Sequence, residues 1–289
     1  MSVQATVRSA PASPAAAPRI PWARRRGLSV GDVLSVAFLL LVLACILLPG
    51  VLAPFDPLAE SPDHPLEAPS LGHPFGTDYI GRDVLSRVIH GSATTISGSV
   101  IAVILGLVVG SVLGLTSAYF GRAYDTAVSR VVDVLLSIPA LLLAITIIVA
   151  LGFGTVNAAI AVGVSSVAVF CRLMRSEVLT IKHQPFVEAS EHLGANKIWL
   201  LGRHILPNAY SSVLSLAALQ FGSAILSIAA LSFLGYGAQP PNPEWGLLIA
   251  EGRNYIATAP SLVAFPSVVI ILTVLSVGKL SQIVRKQVG

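Results

Sequence analysis

The residues best arranged to act on something outside the chain lie between 175 and 208, and the action they suit is recognition. Phe186, Ala189 and Leu193 fall on one helical face, and Glu188 and Glu191 on another. Gly194 stands where a short helix would stop, because glycine accepts the left-handed conformation at a helix C-terminus. A second helix can start over 197–205, and Pro207 is expected to close it. A helix–glycine–helix of this build suits insertion into a cleft on another protein. The plainer reading is a solvated connection between two longer elements.

Signatures of catalysis do not appear. The sequence has no G-x-x-x-x-G-K-[ST] phosphate loop, no G-x-S-x-G elbow, no H-E-x-x-H pair and no C-x-x-C. His64, His73, His90, His183, His192 and His204 are scattered without ligand spacing, so ordinary polar roles are expected. Cys45 and Cys171 each lie in or at the end of an apolar run and read as buried thiols. No catalytic residue, metal or resident cofactor is expected of this chain.

The elements that must position the recognition segment follow from composition. Asp, Glu, Lys and Arg make up 11% of the 289 residues, where a soluble domain carries about 25%. Hydrophobic residues reach 54% and the mean hydropathy is +0.81. So few charges could not cover a water-soluble fold of this size, and an all-α polytopic membrane protein is expected. A bilayer core about 30 Å thick needs roughly 20 apolar residues per helix. Six runs qualify: 33–53, 96–118, 134–151, 156–171, 209–234 and 256–278, the fourth being short. Gly106, Gly110 and Gly114 in the second run share one face, where small residues let a neighbouring backbone come close. Residues 1–29, rich in Ala, Pro and Ser, read as a disordered cytoplasmic tail. The first helix with its outer segment fills 30–92, and five further helices fill 93–282. Leu43-Ala44-Cys45 resembles a lipoprotein cleavage box, but the apolar run continues past it and no cleavage is expected.

Charge sets the orientation. Fifteen of the 18 basic residues fall in the N-terminal tail, the second-to-third connection, the fourth-to-fifth connection and the C-terminal tail, leaving Arg82, Arg87 and Arg253 on the other side. Basic loops stay inside, so both termini and the 175–208 segment are expected in the cytoplasm. Basic residues scattered beside apolar runs, rather than forming one stripe, give no reason to expect a nucleic-acid partner. The spans themselves hold almost no ionisable group. Asp133 is expected to pair with Arg130 at a helix end, and Gln220 is the notable polar residue deep in a span. A proton- or sodium-driven carrier would retain buried charge for its coupling ion, so any drive must come from a partner. Switching a two-state protein from 1:99 to 99:1 takes about 5.5 kcal/mol of differential binding.

At this point the motifs carry a resemblance. Glu188-Ala189-Ser190, Gly194 and Leu206-Pro207 resemble the EAA loop of binding-protein-dependent ABC importer permeases. Gly76-Thr77-Asp78, Gly81-Arg82-Asp83 and Ser86-Arg87 are similar to the G-T-D-x-x-G-R-D-x-x-S-R signature of the dipeptide/oligopeptide (peptide/nickel) branch, C-type subunit. Arg130, Asp133, Ser137 and Pro139, then Arg203 to Asn208, then Phe233 to Gly237 with Pro240-Pro241 and Trp245-Gly246, match later patterns of that branch. Departures are His204 where isoleucine is usual, Ala93 where many relatives have arginine, and the tail from Lys279 to Gln282. The resemblance implies the type-1 importer permease fold in the inner (cytoplasmic) membrane. It also implies partners: a second, B-type permease, two ATPase subunits that carry ATP and Mg, and an extracytoplasmic substrate-binding protein. The EAA loop would couple to an ATPase, with Glu188 meeting a basic residue there and Gly194 setting the turn. Relatives carry dipeptides, oligopeptides, glutathione or nickel, and all four stay open; a secondary transporter is the alternative of another class.

Overall fold

The computed structural model describes residues 29–288, so the expected tail at 1–29 lies almost wholly outside the described residues. Among the described residues eleven α-helices follow one another: α1 (Val30–Leu47), α2 (Pro49–Leu52), α3 (Val84–Phe120), α4 (Arg122–Ser137), α5 (Ala140–Leu151), α6 (Thr155–Lys182), α7 (Pro185–His192), α8 (Lys197–Leu200), α9 (Leu206–Phe233), α10 (Trp245–Gly252) and α11 (Ser261–Val288). No strand forms among the described residues beyond a single bridge between Thr77 and Asp83. Five helices are long and apolar enough to cross a membrane, and a sixth crossing arises if α4 and α5 count together.

The first span opens with a capping box, in which the Ser29 hydroxyl accepts from the Asp32 amide and the Asp32 carboxylate accepts from the Ser29 amide. Val42 is the buried residue of α1, and the helix otherwise presents leucines and valines outward, as a lipid-facing span should. α3 is 37 residues long, about 55 Å at 1.5 Å per residue, so it overruns the bilayer core. Its N-terminal part begins twelve residues before the apolar run at 96–118 and is built into a cap formed by the 54–83 segment.

The third apolar run departs from a straight span. α4 and α5 meet at a bend of 98°. Pro139 has no amide to donate, and Ile138 before it takes an extended conformation with φ −90° and ψ 130°. Hydropathy summed over 134–151 hides such a break. The fourth span is longer than its apolar run, because Arg172 and Arg175 do not end α6. Arg172 donates to Asp133 at 2.7 Å, and Arg175 donates through Nε and Nη2 to both oxygens of Asp125 at 2.6 and 2.7 Å. Asp133 therefore pairs across to α6 and not with Arg130 on its own helix. Pro207 likewise does not close a helix. α8 runs through a π-turn (Leu201–Ile205) into α9, and Pro207 sits in the first turn of α9, where its missing amide breaks no ladder. The Asn208 side chain donates to the His204 carbonyl inside that turn.

α3 and α6 form the spine of the bundle. A Cβ on Gly110 would lie 2.5 Å from the Val167 carbonyl oxygen and 2.6 Å from the Phe170 Cβ. One on Gly114 would lie 2.4 Å from the Cys171 oxygen, and one on Gly106 2.8 Å from the Ser166 Cβ. Phe170, Cys171 and Met174 of α6 are buried against this face.

Candidate functional site

Three regions concentrate polar groups: the α7 loop, a cavity among α5, α6 and α9, and the cap. Around α7 the chain turns twice. Pro185 starts the helix with its missing amide at a position that needs none, and the Leu193 amide closes it on the Ala189 carbonyl. Gly194 then takes φ +82°. A Cβ there would meet nothing within 4 Å, so this chain needs glycine at 194 for its backbone angle and not for space. Val187 is buried and anchors α7 to the bundle. Ser190 donates to the Phe186 carbonyl at 2.8 Å, which occupies its hydroxyl within the helix.

The face formed by Phe186, Ala189 and Leu193 points away from the bundle. Leu193 is 89% exposed, and Ile198 and Trp199 beyond the turn are 79% and 51% exposed. Glu188 is exposed as well, with His183 Nδ1 3.9 Å from its carboxylate. His204 stands between the rings of Phe186 and Trp199, at centroid distances of 5.9 and 5.0 Å, and so ties α7 to the turn before α9. Leu206 and Pro207 are exposed at the root of α9. Phe186, Leu193, Ile198 and Trp199 thus leave large apolar side chains that this chain does not cover.

The cavity sits beside the α4–α5 break and measures about 240 Å3. Ser165 and Ser166 of α6 and Gln220, Ser223 and Ser227 of α9 line it, with Ala140 at the start of α5. The sequence pointed to Gln220 alone. The four serines carry no signal of their own until α6 and α9 are placed face to face.

The cap explains the G-T-D-x-x-G-R-D-x-x-S-R stretch. Gly76 and Gly81 have φ +80° and +82°, and a Cβ on them would lie 2.4 and 2.0 Å from the carbonyl oxygens of Glu67 and Ser61. Asp83 caps α3 by accepting from the Ser86 amide and hydroxyl at 2.7 Å, and its other oxygen lies 2.9 Å from His73 Nδ1. Arg82 donates to Asp78 at 2.6 Å and Arg87 to Glu251 of α10 at 2.8 Å, all four side chains being nearly buried. Glu244 caps α10, accepting from the Leu247 amide at 3.0 Å and the Thr95 hydroxyl at 2.9 Å. Trp245, fully buried, donates to the Val88 carbonyl at 3.0 Å. These charges are paired and serve to seat α10 on α3.

The comparisons with known proteins agree with this geometry. The family model for the binding-protein-dependent transport system inner membrane component matches residues 106–288. The chain is 38% identical over 251 residues to the glutathione transport system permease protein GsiD of Pectobacterium atrosepticum, spanning 86% of this chain and 83% of that one. With the protein of the same name from Escherichia coli the identity is 37% over 276 residues, spanning 92% and 89%. Among solved structures, the MetNI methionine ABC transporter in an inward-facing conformation superposes with a TM-score of 0.59 at 20% identity, over 70% of this chain and 96% of that one. An amino acid ABC transporter gives 0.57 at 16% identity, over 70% and 94%. With all-helical spans, this fold and these relatives, the chain belongs to the binding-protein-dependent inner membrane components, as a C-type, non-catalytic permease subunit of the peptide/nickel branch of ABC importers, whose ATPase is a partner subunit.

Proposed function

We propose that this permease takes its drive from an ATPase through the α7 loop and carries a small peptide across the cytoplasmic membrane. Glutathione is the cargo that the relatives' names favour; dipeptides and other oligopeptides come next, and nickel after them. In the working assembly it pairs with a B-type permease, two ATPase subunits and an extracytoplasmic binding protein, with both termini and α7 in the cytoplasm. ATP and Mg belong to the ATPases. Selectivity for the solute rests mostly with the binding protein.

The observation that carries the coupling role is the outward apolar face of α7. Phe186, Leu193, Ile198 and Trp199 are exposed at the far end of α6 from the cap, on the same short segment as exposed Glu188. Leaving a leucine or tryptophan in water forgoes about 1.5–3 kcal/mol of burial each, which a cleft on a partner would recover. Glu188 would supply a charge for a basic residue there, while Ala189 and Ser190 keep the helix surface low enough to enter. Gly194 sets the turn, and Leu206-Pro207 sets the angle at which α9 leaves it.

The test is uptake of radiolabelled glutathione and dialanine by membranes holding the whole assembly. Glu188→Arg and Gly194→Asp are expected to insert normally and to abolish uptake of the cargo. Normal uptake by both variants would overturn the coupling role.

A further inference from the structure

The cavity among α5, α6 and α9 has walls that its own helices leave unsatisfied. Gln220, Ser223 and Ser227 recur at i, i+3 and i+7, so they form one face of α9. None of the three side chains makes a hydrogen bond among the described residues, although Gln220 lies at the middle of a 28-residue helix. Opposite them, Ser165 and Ser166 donate to the carbonyls of Ala161 and Val162 at 2.9 and 3.0 Å, which leaves their hydroxyl oxygens free to accept.

An amide pressed against lipid tails without a partner costs about 2–7 kcal/mol, depending on the reference state. The neighbouring leucines of α9, Leu219 and Leu226, are 55% and 49% exposed and supply an apolar surface on their own side of the helix. Gln220 faces the cavity instead. The space, about 240 Å3, falls short of the roughly 300–1,000 Å3 of a closed small-molecule site. Its remaining wall must come from outside this chain. No charged side chain lines it. Such a wall cannot grip a carboxylate or ammonium, but it offers a donor and several acceptors of the strength found in a peptide bond. Contacts of that kind let a solute enter and leave again.

We propose that Gln220, Ser223, Ser227, Ser165 and Ser166 are this chain's half of the solute path, meeting the amide groups of a peptide cargo by neutral hydrogen bonds. The proposal rests on the peptide-carrier reading above and adds the residues and the chemistry of contact. Gln220 is the specificity-bearing member, because a primary amide both donates and accepts.

Two measurements test it on the whole assembly in membranes. In a chain carrying Cys45→Ser and Cys171→Ser, Ser223→Cys is expected to react with a membrane-impermeant methanethiosulfonate, and that reaction is expected to block uptake. Gln220→Leu is expected to lower the uptake rate of glutathione and dialanine about fivefold to tenfold, the loss of one neutral hydrogen bond. Gln220→Asn should recover part of that loss, and ATPase stimulation by the binding protein should persist. Reaction of Ser223→Cys only with a lipid-soluble maleimide, or full uptake by Gln220→Leu, would overturn the proposal. A parent assembly that moves neither probe overturns the peptide cargo and with it the amide contact, while the labelling still decides whether this face lines an aqueous path.

Discussion

Glycine serves opposite ends in the bundle and in the α7 loop. At 110 the next helix leaves no room for a methyl group, whereas at 194 the space is open and only the backbone angle asks for glycine. Alanine normally gains about 1 kcal/mol over glycine inside a helix. At 110 that gain meets a carbonyl oxygen 2.5 Å from the new Cβ, and overpacking costs about 1–3 kcal/mol. Gly110→Ala should therefore lower the thermal midpoint of the detergent-solubilised protein. Gly194→Asn, which tolerates the left-handed region, should leave it unchanged. The reverse ranking would mean that α3 and α6 are not packed as described. The G-x-x-x-G register was legible from spacing alone. The buried ion pairs of the cap were not, because Arg87 and Glu251 are 164 residues apart. Arg87→Met leaves Glu251, in a nearly dry site, with only the longer contact to Arg82 Nη2 at 3.5 Å, and breaking a buried pair in this way costs up to about 3–5 kcal/mol. Adding Glu251→Leu removes the weakly paired charge and should restore part of the stability, which a double-mutant cycle on thermal unfolding would measure.

At the scale of elements, the six apolar runs correspond to five long apolar helices and the bent pair α4–α5, yet the third and fourth runs misled for physical reasons. A hydropathy average cannot see that Pro139 forbids a straight helix, because proline is itself nearly apolar. Nor can it see that a charge is tolerated once it is paired across to another helix, as Arg175 is with Asp125. The two ion pairs between α4 and α6 differ in what they contribute. Arg172 and Asp133 are 62% and 55% exposed, and exposed pairs contribute about 0–1 kcal/mol. Arg175 and Asp125, at 36% and 20%, form a two-pronged contact that is better shielded from water. Asp133→Asn should thus leave α4 in place, while Asp125→Asn should loosen it. Proteolysis at the α3–α4 junction, where Gly121 and Arg122 both have positive φ, reads the difference. Equal cleavage of the two variants would count against a clamping role for Asp125.

At the scale of the molecule, the bent pair α4–α5 makes the return between two parallel helices. Gly98, Gly106, Gly110 and Gly114 of α3 meet Ala159, Ser166, Phe170 and Met174 of α6 in ascending order, so α3 and α6 run the same way. The chain must come back to the cap's side between them, and α7 then lies at the opposite end of the bundle from the cap. Fifteen of 18 basic residues predict that the α7 end is the cytoplasmic one. Six crossings also place the start of α1 and the C-terminal Lys279, Arg285 and Lys286 in one compartment. The exposed residues Leu71 and Leu193 supply the reporters. In a chain with Cys45→Ser and Cys171→Ser, Leu71→Cys should be modified by an impermeant thiol reagent in intact cells. Leu193→Cys should be modified only after the membrane is opened. Modification of both in intact cells would contradict the parallel packing of α3 on α6. It would also place Glu188 out of reach of any cytoplasmic ATPase, so the same experiment bears on the coupling role and on the cavity at the bend.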